Sequence, residues 1–166
     1  MFNNGGHNHV IQNNIFALSA NQAMWPYFEK RPNTFRRNIV YLTQGALFIP
    51  YGENSLNDRV AAKQSLGEWD WNLYWHTGGA DQLHFYRSSF ALWQELNLDK
   101  HSLIEDPLFV NSKVADFGLQ PNSPAAKIDF RAIDIRHVGL YGEPSWIRQV
   151  GHSNCVPAPL PASHSR

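Results

Sequence analysis

One eight-residue pattern, written three times, limits what this chain can fold into: Val10-Ile11-Gln12-Asn13-Asn14-Ile15-Phe16-Ala17, Thr34-Phe35-Arg36-Arg37-Asn38-Ile39-Val40-Tyr41 and Glu68-Trp69-Asp70-Trp71-Asn72-Leu73-Tyr74-Trp75. Each time an apolar residue stands three places before an asparagine, and Ile or Leu follows it. The asparagines fall at 14, 38 and 72, so the spacings are 24 and 34 residues. One coil of a parallel solenoid takes roughly 20 to 25 residues, and extra residues loop outward from it. The first spacing is a bare coil, and the second is a coil with an insertion.

Aligned by position, the units form columns. Ile11, Phe35 and Trp69 make one, Ile15, Ile39 and Leu73 a second, and Ala17, Tyr41 and Trp75 a third. Strand alternation predicts that all three point inward. Asn14, Asn38 and Asn72 are expected at a bend, in the left-handed conformation that Asn tolerates, with their amides bonded from rung to rung. Gln12, Arg36 and Asp70 form an outward column in which Arg36 is expected to pair with Asp70. Phe16, Val40 and Tyr74 also read as outward, and are too apolar for bare solvent. The excursions, or a helix over 89–96, are expected to cover them. That helix has Ser89 as N-cap, and Phe90, Trp93 and Leu96 fall on one face.

The rest of the chain reads as turns and short strands. The loop Asn3 to Asn8 leads into the first unit, and Pro26 and Pro32 break the first excursion. A helical turn is expected within Asn57 to Gln64. Asp106-Pro107-Leu108-Phe109-Val110 is expected to be the next rung, Asp116-Phe117-Gly118-Leu119 a short strand, and Pro121 to Ala125 a turn. Asp106 and Asp116 are turn organisers. Val138 to Trp146 closes the domain, which spans 5–146, and 147–166 reads as a disordered tail or linker.

Composition narrows the function. Fourteen basic and fourteen acidic residues balance, so no charge field argues for nucleic acid or a membrane surface. The single cysteine, Cys155, allows no disulfide framework within the chain. No apolar run reaches the roughly 18 residues of a membrane span. No signal peptide is readable at the N-terminus. No motif implies a cofactor. His7-x-His9 lacks a third ligand spaced for zinc, and no carboxylates converge for calcium.

The three rungs resemble the last coils of right-handed parallel β-helix proteins of the pectin-lyase-like superfamily. The stretch His101 to Val110, followed by Asp116-Phe117-Gly118-Leu119-Gln120-Pro121-Asn122-Ser123-Pro124-Ala125, is similar to the ending of its carbohydrate-active members. Ile133-Asp134 and Val138 to Gly142 are similar to the segment that closes such domains. The resemblance implies an all-β, right-handed parallel β-helix, here its C-terminal coils with long excursions and one short helix. It implies a polysaccharide or oligosaccharide partner, and upstream coils of the same protein preceding Met1. It also implies a secreted or periplasmic location for the full-length protein.

A glycoside-hydrolase-like activity is the first expectation, with a non-catalytic carbohydrate-binding or structural solenoid and a polysaccharide lyase as alternatives. Glycoside hydrolysis uses two carboxylates roughly 5 to 10 Å apart. Glu29, Glu53, Asp58, Glu68, Asp70 and Asp81 are available. Asp70 is the catalytic candidate, because its strand is rigid and Arg36 beside it would keep it ionised. Its partner is not fixed by spacing. A lyase would draw on Arg36, Arg37 or Arg87. Arg36, Trp71, Tyr74 and His76 are the candidate substrate-binding residues, His76 because Gly78-Gly79 beside it can border a groove.

Overall fold

A computed structural model describes residues 8–19, 22–24, 33–48, 67–85 and 89–134. Outside the described residues lie the loop before Asn8 with His7, and Trp25, Pro26, Glu29 and Pro32 of the first excursion. The same holds for Glu53, Asp58 and the helical turn expected over 57–64, for Arg87, and for residues 135–166 with the closing stretch and the tail. The chain divides into two compact units, residues 1–132 and 133–166, and every described strand and helix lies in the first.

The described residues are mostly sheet, and the pairing is mostly parallel. Strands β1 (Val10–Gln12), β4 (Thr34–Arg36) and β7 (Glu68–Asp70) form one sheet. Strands β2 (Ile15–Ala17), β5 (Ile39–Leu42), β8 (Leu73–His76) and β9 (Leu103–Ile104) form a second, and β3 (Gln22–Met24) and β6 (Ala46–Phe48) a third. Register pairs Ile11 with Phe35 and Phe35 with Trp69. It also pairs Ile15 with Ile39 and Ile39 with Leu73. Each of the three repeats therefore lies one rung from the next.

The bend differs from expectation in a way that inverts half the columns. The left-handed residue is the one before each ladder asparagine: Asn13, Arg37 and Trp71 have φ of 57°, 52° and 58°. This residue breaks the alternation, so Asn38 and Asn72 turn inward and are fully buried. Beyond the bend, Val40, Leu42 and Tyr74 join Phe35, Trp69 and Leu47 of β6 in one core, with Phe16 packed against it. The column read as outward is thus inward. Ile39, Leu73 and Tyr41 face the other side, with Ile15, Ala17 and Trp75 packed against that cluster.

Both sides are covered. The short helix α1 (Phe90–Glu95), capped by the Ser89 hydroxyl accepting from the Leu92 amide, buries Trp93 edge-on against Trp69. Phe85 packs against Tyr74, Phe90 and Trp93. On the other face, an antiparallel pair, β10 (Phe109–Asn111) and β11 (Asp116–Leu119), and the 3-10 turn Pro124–Ile128 bring Phe109, Ile128 and Phe130 against Ile39 and Leu73. The next rung is β9 and not Asp106 to Val110, since Leu73 pairs with Leu103. Pro107 lacks an amide hydrogen, and Leu108 is left-handed with φ of 55°, so that stretch turns away into the β10–β11 pair. Asp106 and Asp116 each accept the amide two residues on, from Leu108 and Gly118.

Gly67 enters β7 with φ of +98°, and a Cβ there would lie 2.4 Å from the Asn33 carbonyl oxygen. That backbone also carries the rung bond from the Glu68 amide to Asn33. Gly67→Ala should therefore cost at least about 2 kcal/mol, read as a lower denaturation midpoint at unchanged slope. An unchanged midpoint would contradict this packing.

Candidate functional site

The amides of the bend asparagines make a directed chain. The Asn14 side chain donates to Asn38 Oδ1, and that of Asn38 donates to Asn72 Oδ1. Each Oδ1 also accepts the backbone amide of the asparagine one rung earlier, at 3.0 Å. Each side-chain nitrogen also bonds a main-chain carbonyl, Ile11 for Asn38 and Phe35 for Asn72. At the next rung Ser102 takes the asparagine's place and accepts the Asn72 amide at 2.7 Å.

The chain ends on Asp99, which is fully buried. Its carboxylate accepts from Asn72 Nδ2, Ser102 Oγ, Tyr74 Oη and Trp93 Nε1, at 2.6 to 3.0 Å. Burial raises the Asp99 carboxyl, outweighing hydrogen bonds from Ser102, Asn72, Trp93 and Tyr74 that lower it. Burial, with Asp99 adjoining, pushes the Tyr74 hydroxyl well above the usual range. This centre is structural: it anchors α1 and the loop that delivers His101. Tyr74 is therefore a core residue and not a substrate platform. His76 is also buried, and its Nδ1 accepts the Gly78 amide at 2.9 Å, so it holds its own loop.

Asp70 and Trp71 remain on the outside. Asp70 alternates with the buried Trp69, and the left-handed corner turns Trp71 outward, 37% exposed. His101 meets both. Its Nδ1 lies 2.6 Å from Asp70 Oδ2, its amide donates to Asp70 Oδ1 at 2.7 Å, and its ring stacks on Trp71 at 4.6 Å and 10°. The Trp71 amide also donates to Asp70 Oδ1. A carboxylate so close draws the imidazole proton onto Nδ1 and leaves Nε2, on a half-exposed ring, for another partner.

Arg36 does not pair with Asp70, although their Cα atoms are in register. It reaches along the outer face, Nε to Gln12 at 3.1 Å and Nη1 to Glu68 at 3.2 Å. His101 supplies two donors to Asp70 from one rigid loop, which a single exposed guanidinium does not displace. Glu68 and Asp70 share the outer face and bond different partners, Arg36 and His101 respectively. Among the described residues no three His, Cys, Asp or Glu side chains cluster to hold a metal ion. No described helix is long and apolar enough to cross a membrane.

Where the stretch after the 3-10 turn, Asp129 to Arg131, returns to the first described bend, Asn13 clamps it. Its side chain donates to the Arg131 carbonyl at 2.9 Å and accepts the Arg131 amide at 2.7 Å. The two segments enclose a pocket of about 420 Å³ lined by Gln12, Asn13, Arg36, Arg37, Asp129 and Arg131. The chain matches no protein-family model, no curated protein and no solved structure.

His101, Asp129 and Arg131 were beyond the reach of sequence reasoning. His101 is 31 residues from Asp70 and Arg131 is 118 from Asn13, with no periodic signal linking either pair. Asp99 had a signal: a ladder of buried amides needs a terminal acceptor about one repeat on.

Proposed function

We propose that the stacked strands are coils of a right-handed parallel β-helix of the pectin-lyase-like kind, and that their outer face binds polysaccharide. The observation that carries this reading is the face of β1, β4 and β7. It presents Gln12, Arg36 and Asp70 in register, with Glu68 bonded to Arg36 beside them and the Trp71–His101 stack at the corner, while the core-facing side of these strands is apolar. Planar polar groups beside an exposed indole suit sugar hydroxyls and the apolar face of a pyranose.

Binding without hydrolysis is the better-supported form of this reading, because the carboxylates of this face are engaged by internal partners, Glu68 by Arg36 and Asp70 by Trp71 and His101. A reaction on the same face, hydrolytic or eliminative, rests on the Asp70–His101 pair. There Asp70, its oxygens taken by internal donors, orients the imidazole, and Nε2 of His101 would move the proton. The test is affinity electrophoresis through gels containing neutral and acidic polysaccharides, with turnover assayed in parallel. Retardation by at least one polysaccharide is expected, with Trp71→Ala losing at least about tenfold in affinity. No retardation in any gel would end the binding reading. Turnover that survives His101→Ala would end the catalytic one.

A further inference from the structure

The pocket between the first described bend and the stretch Asp129 to Arg131 is lined in part by Arg36, the register partner of Asp70, and its charges are unbalanced. Arg37 Nε lies 3.2 Å from Asp129 Oδ2, off the line of the N–H, so the contact is an ion pair and not a hydrogen bond. Arg36 spends Nε on Gln12 and Nη1 on Glu68. The Arg131 guanidinium has no hydrogen bond or ion pair among the described residues. Three arginines line the space against one aspartate, Glu68 offsets Arg36 from outside the lining, and no apolar side chain lines it.

Two features make this a site and not a chance gathering of surface charge. The backbone of Arg131 is fixed by both atoms of the Asn13 amide, so its side chain is presented from a held position. Arg37 occupies a left-handed corner, φ 52°, where glycine or asparagine would be less strained. Strain kept at a position for the sake of its side chain is a mark of use.

We propose that this pocket binds a tetrahedral oxyanion, the sulfate or phosphate group of an organic ester or the free ion. Guanidinium groups present paired N–H donors that match oxyanion edges. Two come from β4 and its corner and one from the stretch after the 3-10 turn, which serves an anion with three outward oxygens better than a carboxylate with two. The volume admits one such group and the adjoining part of a sugar-sized carrier. The site does not depend on the polysaccharide reading, since the free ion alone is a sufficient ligand.

Calorimetric titration of the full chain at low salt tests it. The ligands are inorganic sulfate, inorganic phosphate, a sulfated monosaccharide, glucuronate and glucose. Sulfate, phosphate or the sulfated sugar should bind at least about tenfold more tightly than glucuronate, glucose should not bind, and added chloride should weaken binding. Tighter binding of the sulfated sugar than of free sulfate assigns the ester as the ligand, and equal affinity assigns the free ion. Arg131→Gln should weaken binding at least about tenfold. Arg37→Gly should do the same without loss of stability. Asp129→Asn, which keeps a residue tolerant of its left-handed φ of 56°, should tighten binding, which misfolding cannot mimic. Equal binding of glucuronate and sulfate, no binding of any anion, or indifference to the Arg131 and Asp129 changes would overturn the proposal. Failure here with polysaccharide retardation intact leaves the outer-face reading standing.

Discussion

Asn72→Ala should destabilise the fold by about 3–5 kcal/mol, measured as the free energy of denaturant unfolding. Truncation removes both side-chain bonds of Nδ2, to Phe35 O and Asp99 Oδ1, and both bonds accepted by Oδ1, from the backbone and side chain of Asn38. The partners stay buried, so each unsatisfied group carries its full desolvation penalty. A gradient along the ladder is the sharper test. Asn14 is only half-buried, and its Nδ2 bonds Gln12 O and Asn38 Oδ1. Asn14→Ala should therefore cost about 1 kcal/mol. Equal costs at 14 and 72 would mean that the bonds do not act as a buried chain.

Asp99→Asn should cost about 1–3 kcal/mol, by an amount that depends on pH. Trp93 Nε1 can only donate, and it faces Asp99 Oδ2 at 2.8 Å. An amide nitrogen in that place would set donor against donor. Because burial raises the Asp99 carboxyl, the folded chain keeps its proton to a higher pH than the unfolded chain. The stabilisation from that proton is complete below the unfolded value, about 3.9, and is lost as pH rises through the raised folded value. The asparagine variant lacks this dependence. The stability gap between the two chains should thus be widest near pH 4 and narrow toward pH 7. A gap that widens with pH would show a carboxyl held below its ordinary value by its four donors.

Much of the arrangement was legible in the repeat because register is a long-range consequence of short-range pattern. The pairs Ile11–Phe35–Trp69 and Ile15–Ile39–Leu73 follow from aligning asparagines. The facing of the second strand was not legible, because alternation carries no mark of the one residue that interrupts it. Arg37 and Trp71 have poor left-handed propensity, whereas the asparagines beside them are good candidates, and the burial of Asn38 and Asn72 decided between them. The site was less legible still. Asp70 and Trp71 stood out from their strand, but their partner His101 comes from a loop positioned by Asp99, and Arg36 chose Glu68 by competition that only three dimensions reveal.

The left-handed corner makes the consequences of length depend on place. Between Phe35 and Tyr41, or Trp69 and Trp75, adding one residue would exchange the two faces, and so the two packed clusters, of everything downstream to the end of that strand. Between rungs, the chain already tolerates ten more residues before Asn72 than before Asn38. Such a molecule can change its loops, and whatever those loops contact, over many generations of insertion, while the seven positions around each corner stay at fixed count. Its capacity for new surface is stored between the repeats, and its arithmetic is stored in the corner.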